Sequence, residues 1–103
     1  NQDTWEIKVK KKRKTLNIYW GIIPDSSKGI EIYMKEGKNK KYKKVNTTTN
    51  LKKNKNKKGA AGITASKKYL KKGKKYSFRA RTYTYFNNEK IYGKWSKTVS
   101  IKG

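Results

Sequence analysis

The chain has 103 residues, with 30 Lys and Arg against 6 Asp and Glu and neither His nor Cys, for a formal charge of +24. That length bounds it to one small domain, 1–103, whose 13% aromatic content supplies enough area for a core. The missing imidazoles and thiols remove the usual metal ligands, nucleophiles and bases, so the composition points away from an enzyme and implies no cofactor and no metal. No disulfide framework is possible, and no run of 18 apolar residues exists to span a membrane. The opening Asn1, in place of Met, reads as a segment of a longer protein. Charge of this size costs self-repulsion and favours polyanionic partners.

Apolar residues alternate with polar ones along most of the chain, with no sustained 3.6-residue period. Trp5, Ile7 and Val9 mark a first strand, and Leu16, Ile18 and Trp20 a second. After the turn residues from Pro24 to Gly29 come Ile30, Ile32 and Met34; after Gly37 and Asn39 comes a weaker fourth segment with Tyr42 and Val45. The stretch 47–62 is rich in Lys and Asn with only Leu51 to bury, which predicts a mobile loop. Ile63 and Ala65 form a short fifth strand. Beyond Gly73, Tyr76, Phe78 and Ala80 alternate with Ser77, Arg79 and Arg81, and the sixth strand runs on to Phe86. Asn87 and Asn88 make the next turn, and the seventh strand ends with Val99 and Ile101 on one face. Period two with one wet face predicts antiparallel sheet, and seven short strands predict an all-β sandwich.

The order of these residues resembles a fibronectin type III domain: Trp20, then Ile30-Glu31-Ile32-Tyr33, then Leu70, separated by five residues from Tyr76-Ser77-Phe78-Arg79-Ala80. The run Tyr92-Gly93-Lys94-Trp95-Ser96-Lys97 is similar to the last strand of bacterial members. The resemblance covers roughly Trp5 to Ile101 and implies a seven-stranded antiparallel immunoglobulin-like sandwich. In it Trp20 is the central core aromatic, and Leu70 with Tyr76 forms the tyrosine corner, the phenol bonding back across the preceding turn. Two features depart from the pattern. The stretch 47–62 is longer and more basic, and the corner turn Lys71-Lys72-Gly73 lacks a proline. The resemblance further implies a non-catalytic module of a bacterial protein, secreted or on the cell surface, that spaces or presents neighbouring domains of its parent chain. No Arg-Gly-Asp tripeptide occurs, so integrin-type adhesion does not carry over.

Four clusters, Lys8–Lys14, Lys38–Lys44, Lys52–Lys58 and Lys67–Lys75, hold 22 of the 30 basic residues. Lys52, Lys53, Lys55, Lys57 and Lys58, helped by Lys71, Lys72, Lys74 and Lys75, are the candidate contacts for an anionic polymer such as teichoic acid or a sulfated glycan. The bland reading is a solvated surface that discourages edge-to-edge aggregation. With 27 Lys against 3 Arg, nucleic-acid binding is expected to be non-specific and steeply salt-dependent, because Lys acts as a point charge where Arg reads base edges with a fork. Arg79, Arg81, Tyr83 and Tyr85, with Trp95, form a row that can stack bases or sugars, although cross-strand packing is the commoner use of such a row. The acids Asp3, Glu6, Asp25, Glu31, Glu36 and Glu89 are dispersed, and pairing with surface lysines is worth about 0–1 kcal/mol each. Asn46-Thr47-Thr48 fits a glycosylation sequon.

The reading is a spacer or presenting module that holds electrostatically, with low specificity, to an anionic cell wall or glycan. One alternative is a basic nucleic-acid-binding β-domain such as an OB-fold, against which the Leu70–Tyr76 spacing speaks. The other is an accessory module of a glycan-degrading enzyme that touches carbohydrate through Trp95 and nearby tyrosines.

Overall fold

The strands that carry the core sort their side chains onto two faces, and the apolar sets meet. The structure, a computed structural model, describes residues 5–11, 15–21, 23, 27–38, 41–49, 51, 61–66 (backbone) and 70–103. Among these lie eight strands: β1 (Ile7–Lys11), β2 (Thr15–Trp20), β3 (Gly29–Glu36), β4 (Lys43–Thr48), β5 (Ala61–Ser66), β6 (Lys75–Phe86), β7 (Glu89–Trp95) and β8 (Val99–Lys102). All pairings are antiparallel. One sheet has the order β1-β2-β5; the other runs β4-β3-β6-β7, with β8 also paired to β6. The chain is therefore all-β and two-sheeted, a β-sandwich.

The core lies between the sheets. Ile7, Val9, Leu16, Ile18 and Trp20 come from the first sheet, and Ile30, Ile32, Tyr76, Phe78 and Ala80 from the second. Ile7 sits opposite Trp20, and Ile32 opposite Ala80, so each sheet presents a continuous apolar layer. Trp5 packs at the head of β1 with its indole N–H donated to Lys94 O (3.0 Å). Trp20 donates its own to Leu51 O (3.2 Å), and Leu51 packs half-buried against the core. Thr47 and Thr48 belong to β4 and Ala61 and Gly62 to β5, so the basic connection spans 49–60 and not 47–62.

The last strand of the sequence reading is two strands. β7 and β8 share the edge of β6 that β3 leaves open, and they part at Ser96. Ser96 N donates to Ala80 O (2.7 Å), but Ala80 N donates to the Ser96 hydroxyl (2.9 Å), which in turn donates to Lys97 O (3.1 Å). A side chain takes over the ladder position of a carbonyl. The freed backbone crosses to the other sheet, where Lys97 N donates to Trp5 O (2.9 Å). At the opposite end, Asn87 and Asn88 hold φ of 51° and 66°. Those angles are what a two-residue type I′ hairpin needs, and Asn tolerates them better than most residues.

Candidate functional site

The alternation that turns Ile30 and Ile32 inward turns Glu31, Tyr33 and Lys35 onto the outer face of the β4-β3-β6-β7 sheet. On β6 the same face carries Arg79, Arg81, Tyr83 and Tyr85. Register brings them together: Glu31 sits opposite Arg81, Tyr33 opposite Arg79, Arg81 opposite Trp95, and Tyr83 opposite Tyr92. Gly29 lies across from Tyr83, and a Cβ there would collide with the Tyr83 ring, so the missing side chain makes the bed in which this tyrosine lies almost wholly buried.

Glu31 is fully buried beneath this face. Arg81 Nε donates to Oε1 (3.2 Å), Tyr33 OH donates to the same oxygen (2.9 Å), and Lys90 Nζ donates to Oε2 (2.7 Å). Lys44 Nζ lies 3.7 Å from Oε2, and Arg81 Nη2 closes the ring by donating to Tyr33 OH (2.9 Å). Burial pushes the carboxyl upward, but the hydrogen bonds from Lys90, Tyr33 and Arg81, with the Lys90 charge, outweigh it and hold the pKa down to about 2. The hydrogen bond to Glu31 in turn raises Lys90 above its ordinary value. This corrects the expectation that Glu31 is one of several surface acids in weak local pairs. It is the centre of a buried network.

Around that centre, cations and rings alternate. Lys35 Nζ lies 5.0 Å from the Tyr42 centroid, and Arg79 Cζ lies 4.1 Å from Tyr42 and 3.9 Å from Trp95. Arg81 Cζ lies 4.8 Å from Trp95 and 3.5 Å from Tyr92, and Lys90 Nζ 5.4 Å from Tyr92 and 4.2 Å from Tyr83. Tyr33 meets Trp95 edge-on at 5.0 Å, and Tyr83 meets Tyr85 the same way at 5.8 Å. Each cation–ring contact contributes about 0.5–1 kcal/mol where it is exposed. The row of Arg79, Arg81, Tyr83, Tyr85 and Trp95 thus lies together on one face. Tyr42, Tyr92, Lys90, Lys44, Tyr33 and Glu31 complete it, and the sequence reading did not place them there. Their membership depends on strand register, which no local pattern encodes. The one available signal was that Glu31 and Tyr33 alternate out of phase with Ile30 and Ile32.

Four of the candidate contact lysines lie elsewhere. Lys71, Lys72, Lys74 and Lys75 are all exposed on the turn into β6. That turn is held by Lys71 N donating to Tyr76 OH (2.6 Å) and Lys74 N donating to Lys71 O (3.1 Å), with Gly73 at φ 81°. Tyr76 is buried, Leu70 packs half-buried against the core, and Trp20 is buried within it. Lys75 also borders an open pocket with Ser100, Ile101 and Lys102. Lys52, Lys53, Lys55, Lys57 and Lys58 lie outside the described residues. Among the described residues no helix is long and apolar enough to cross a membrane. No protein-family model matches the chain, and neither does any curated protein.

Proposed function

We propose that the chain is a non-catalytic, fibronectin type III-like module of a bacterial secreted or surface protein, which spaces or presents neighbouring domains and holds to an anionic polymer by counterion release. The observation that carries the binding half is the partition of charge. Glu31, the fully buried carboxylate, is consumed internally by three cations, while Lys71, Lys72, Lys74 and Lys75 stand in water on a turn pinned by Tyr76. The module half is supported by the two-sheet strand order and by the Tyr76–Lys71 hydrogen bond, which closes the turn as a tyrosine corner does. Teichoic acid and sulfated glycan are the polymers this charge suits. Nucleic acid is bound, on this reading, only without sequence preference.

The test is neutralisation to Gln of Lys52, Lys53, Lys55, Lys57 and Lys58 together with Lys71, Lys72, Lys74 and Lys75, followed by binding to a poly(glycerol phosphate) and to heparin at low salt. The reading expects affinity for both to fall by more than tenfold. Unchanged affinity in a folded variant would sink it.

A further inference from the structure

Arg79 and Arg81 are two residues apart on one strand face, and their surroundings differ. Arg81 spends its fork on Glu31 and Tyr33. Arg79 has a buried Nε with no hydrogen-bond acceptor. Among the described residues no carboxylate pairs with it: Glu31 is taken by Arg81, Lys90 and Lys44, and Glu6 by Lys97. Nevertheless the guanidinium is fixed, with Tyr42 and Trp95 both about van der Waals distance away (4.1 and 3.9 Å to their centroids). Lys35, beside the same Tyr42 ring, has no ion-pair partner among the described residues either. Two adjacent cations are thus held on aromatic surface with no anion among the described residues.

A guanidinium already immobilised loses little further entropy when it binds, and its remaining N–H groups suit a two-oxygen acceptor. Tyr42, Trp95 and Tyr92 each carry two cations over their rings, which leaves little room for a nucleobase to stack. Beyond them the same face offers exposed Tyr85, amphipathic surface that suits sugar C–H groups. We propose that Arg79 and Lys35, framed by Tyr42 and Trp95, bind the sulfate group of a sulfated glycan, making this sheet face a shaped site distinct from the lysine turn. The weak hydration of guanidinium suits it to a sulfate ester. The inference rests on the polyanion-binding reading above and adds a site with a preferred polymer.

The test compares charge-matched variants at about 200 mM salt, where non-specific binding is weakened. Arg79→Lys keeps the charge and removes the fork, with Lys10→Arg, at an exposed position on the other sheet, as its control; Lys35→Gln removes one charge, with Lys10→Gln as its control. Arg79→Lys is expected to weaken heparin binding about tenfold, the loss of one charge-assisted hydrogen bond, while binding of polyphosphate and of a single-stranded oligonucleotide changes less than twofold. Lys35→Gln is expected to weaken heparin binding more than Lys10→Gln does, which keeps the test valid if Arg79→Lys fails to fold. Heparin losses no larger than the controls, or equal losses for all three polymers, overturn the proposal. If the controls match but neutralising the lysine clusters still lowers affinity, this inference alone fails; if that neutralisation also has no effect, both readings fail.

Discussion

Glu31 anchors a sheet face otherwise composed of cations and rings. An ionised carboxylate with no solvent contact is costly unless its oxygens are fully used, and here Oε1 accepts from Arg81 and Tyr33 and Oε2 from Lys90. Because the folded pKa is depressed to about 2 from an ordinary 4.5, the unfolded chain binds the proton more readily, so this group's stabilisation is full above about pH 4.5 and is lost as pH falls toward 2. The shift corresponds to about 2–3 kcal/mol at neutral pH once the partial exposure of Lys90 and Lys44 is discounted. Glu31→Gln should therefore destabilise the domain by about that much at pH 7. The difference from the wild type should shrink to less than half by pH 3 in urea unfolding. A difference that stays constant from pH 7 to pH 3 would show that the carboxylate's charge is not what matters at this position.

At the scale of the elements, Ser96 sets the shape of the edge beside β6. Its hydroxyl is the acceptor for the buried Ala80 N–H, so Ser96→Ala leaves that donor without a partner and should cost about 1–3 kcal/mol. Ser96→Thr, which keeps the hydroxyl, should recover most of the loss, and thermal unfolding of the three proteins checks this. Equal stability of Ser96→Ala and wild type would mean that the break between β7 and β8 has another cause. The strands themselves were legible because period-two alternation is local: Ile7 and Val9, Leu16, Ile18 and Trp20, and Tyr76, Phe78 and Ala80 all fall on the buried face. The break at Ser96 was not legible, since a serine in a strand looks the same whether its hydroxyl faces water or replaces a carbonyl. The network was illegible for a related reason. Glu31 meets Arg81 fifty residues on and Lys90 fifty-nine residues on, and only the β3–β6 and β6–β7 registers bring them together.

For the whole molecule the governing fact is +24 on 103 residues. The sandwich accommodates it by keeping lysines such as Lys8, Lys10, Lys43, Lys74 and Lys75 in water on strand faces and turns, and by laying Arg79 and Arg81 against rings. A surface so charged exerts long-range attraction on any polyanion, screened by salt over a Debye length of about 8–10 Å. On the proposed reading, the binding energy comes largely from counterions released by the polymer. The most direct measurement is the affinity for heparin from about 50 to 400 mM salt, plotted as log K against log salt. A steep, linear fall is expected, with a shallower slope once Lys71, Lys72, Lys74 and Lys75 are changed to Gln. A flat plot, or a slope indifferent to those four lysines, would contradict that reading.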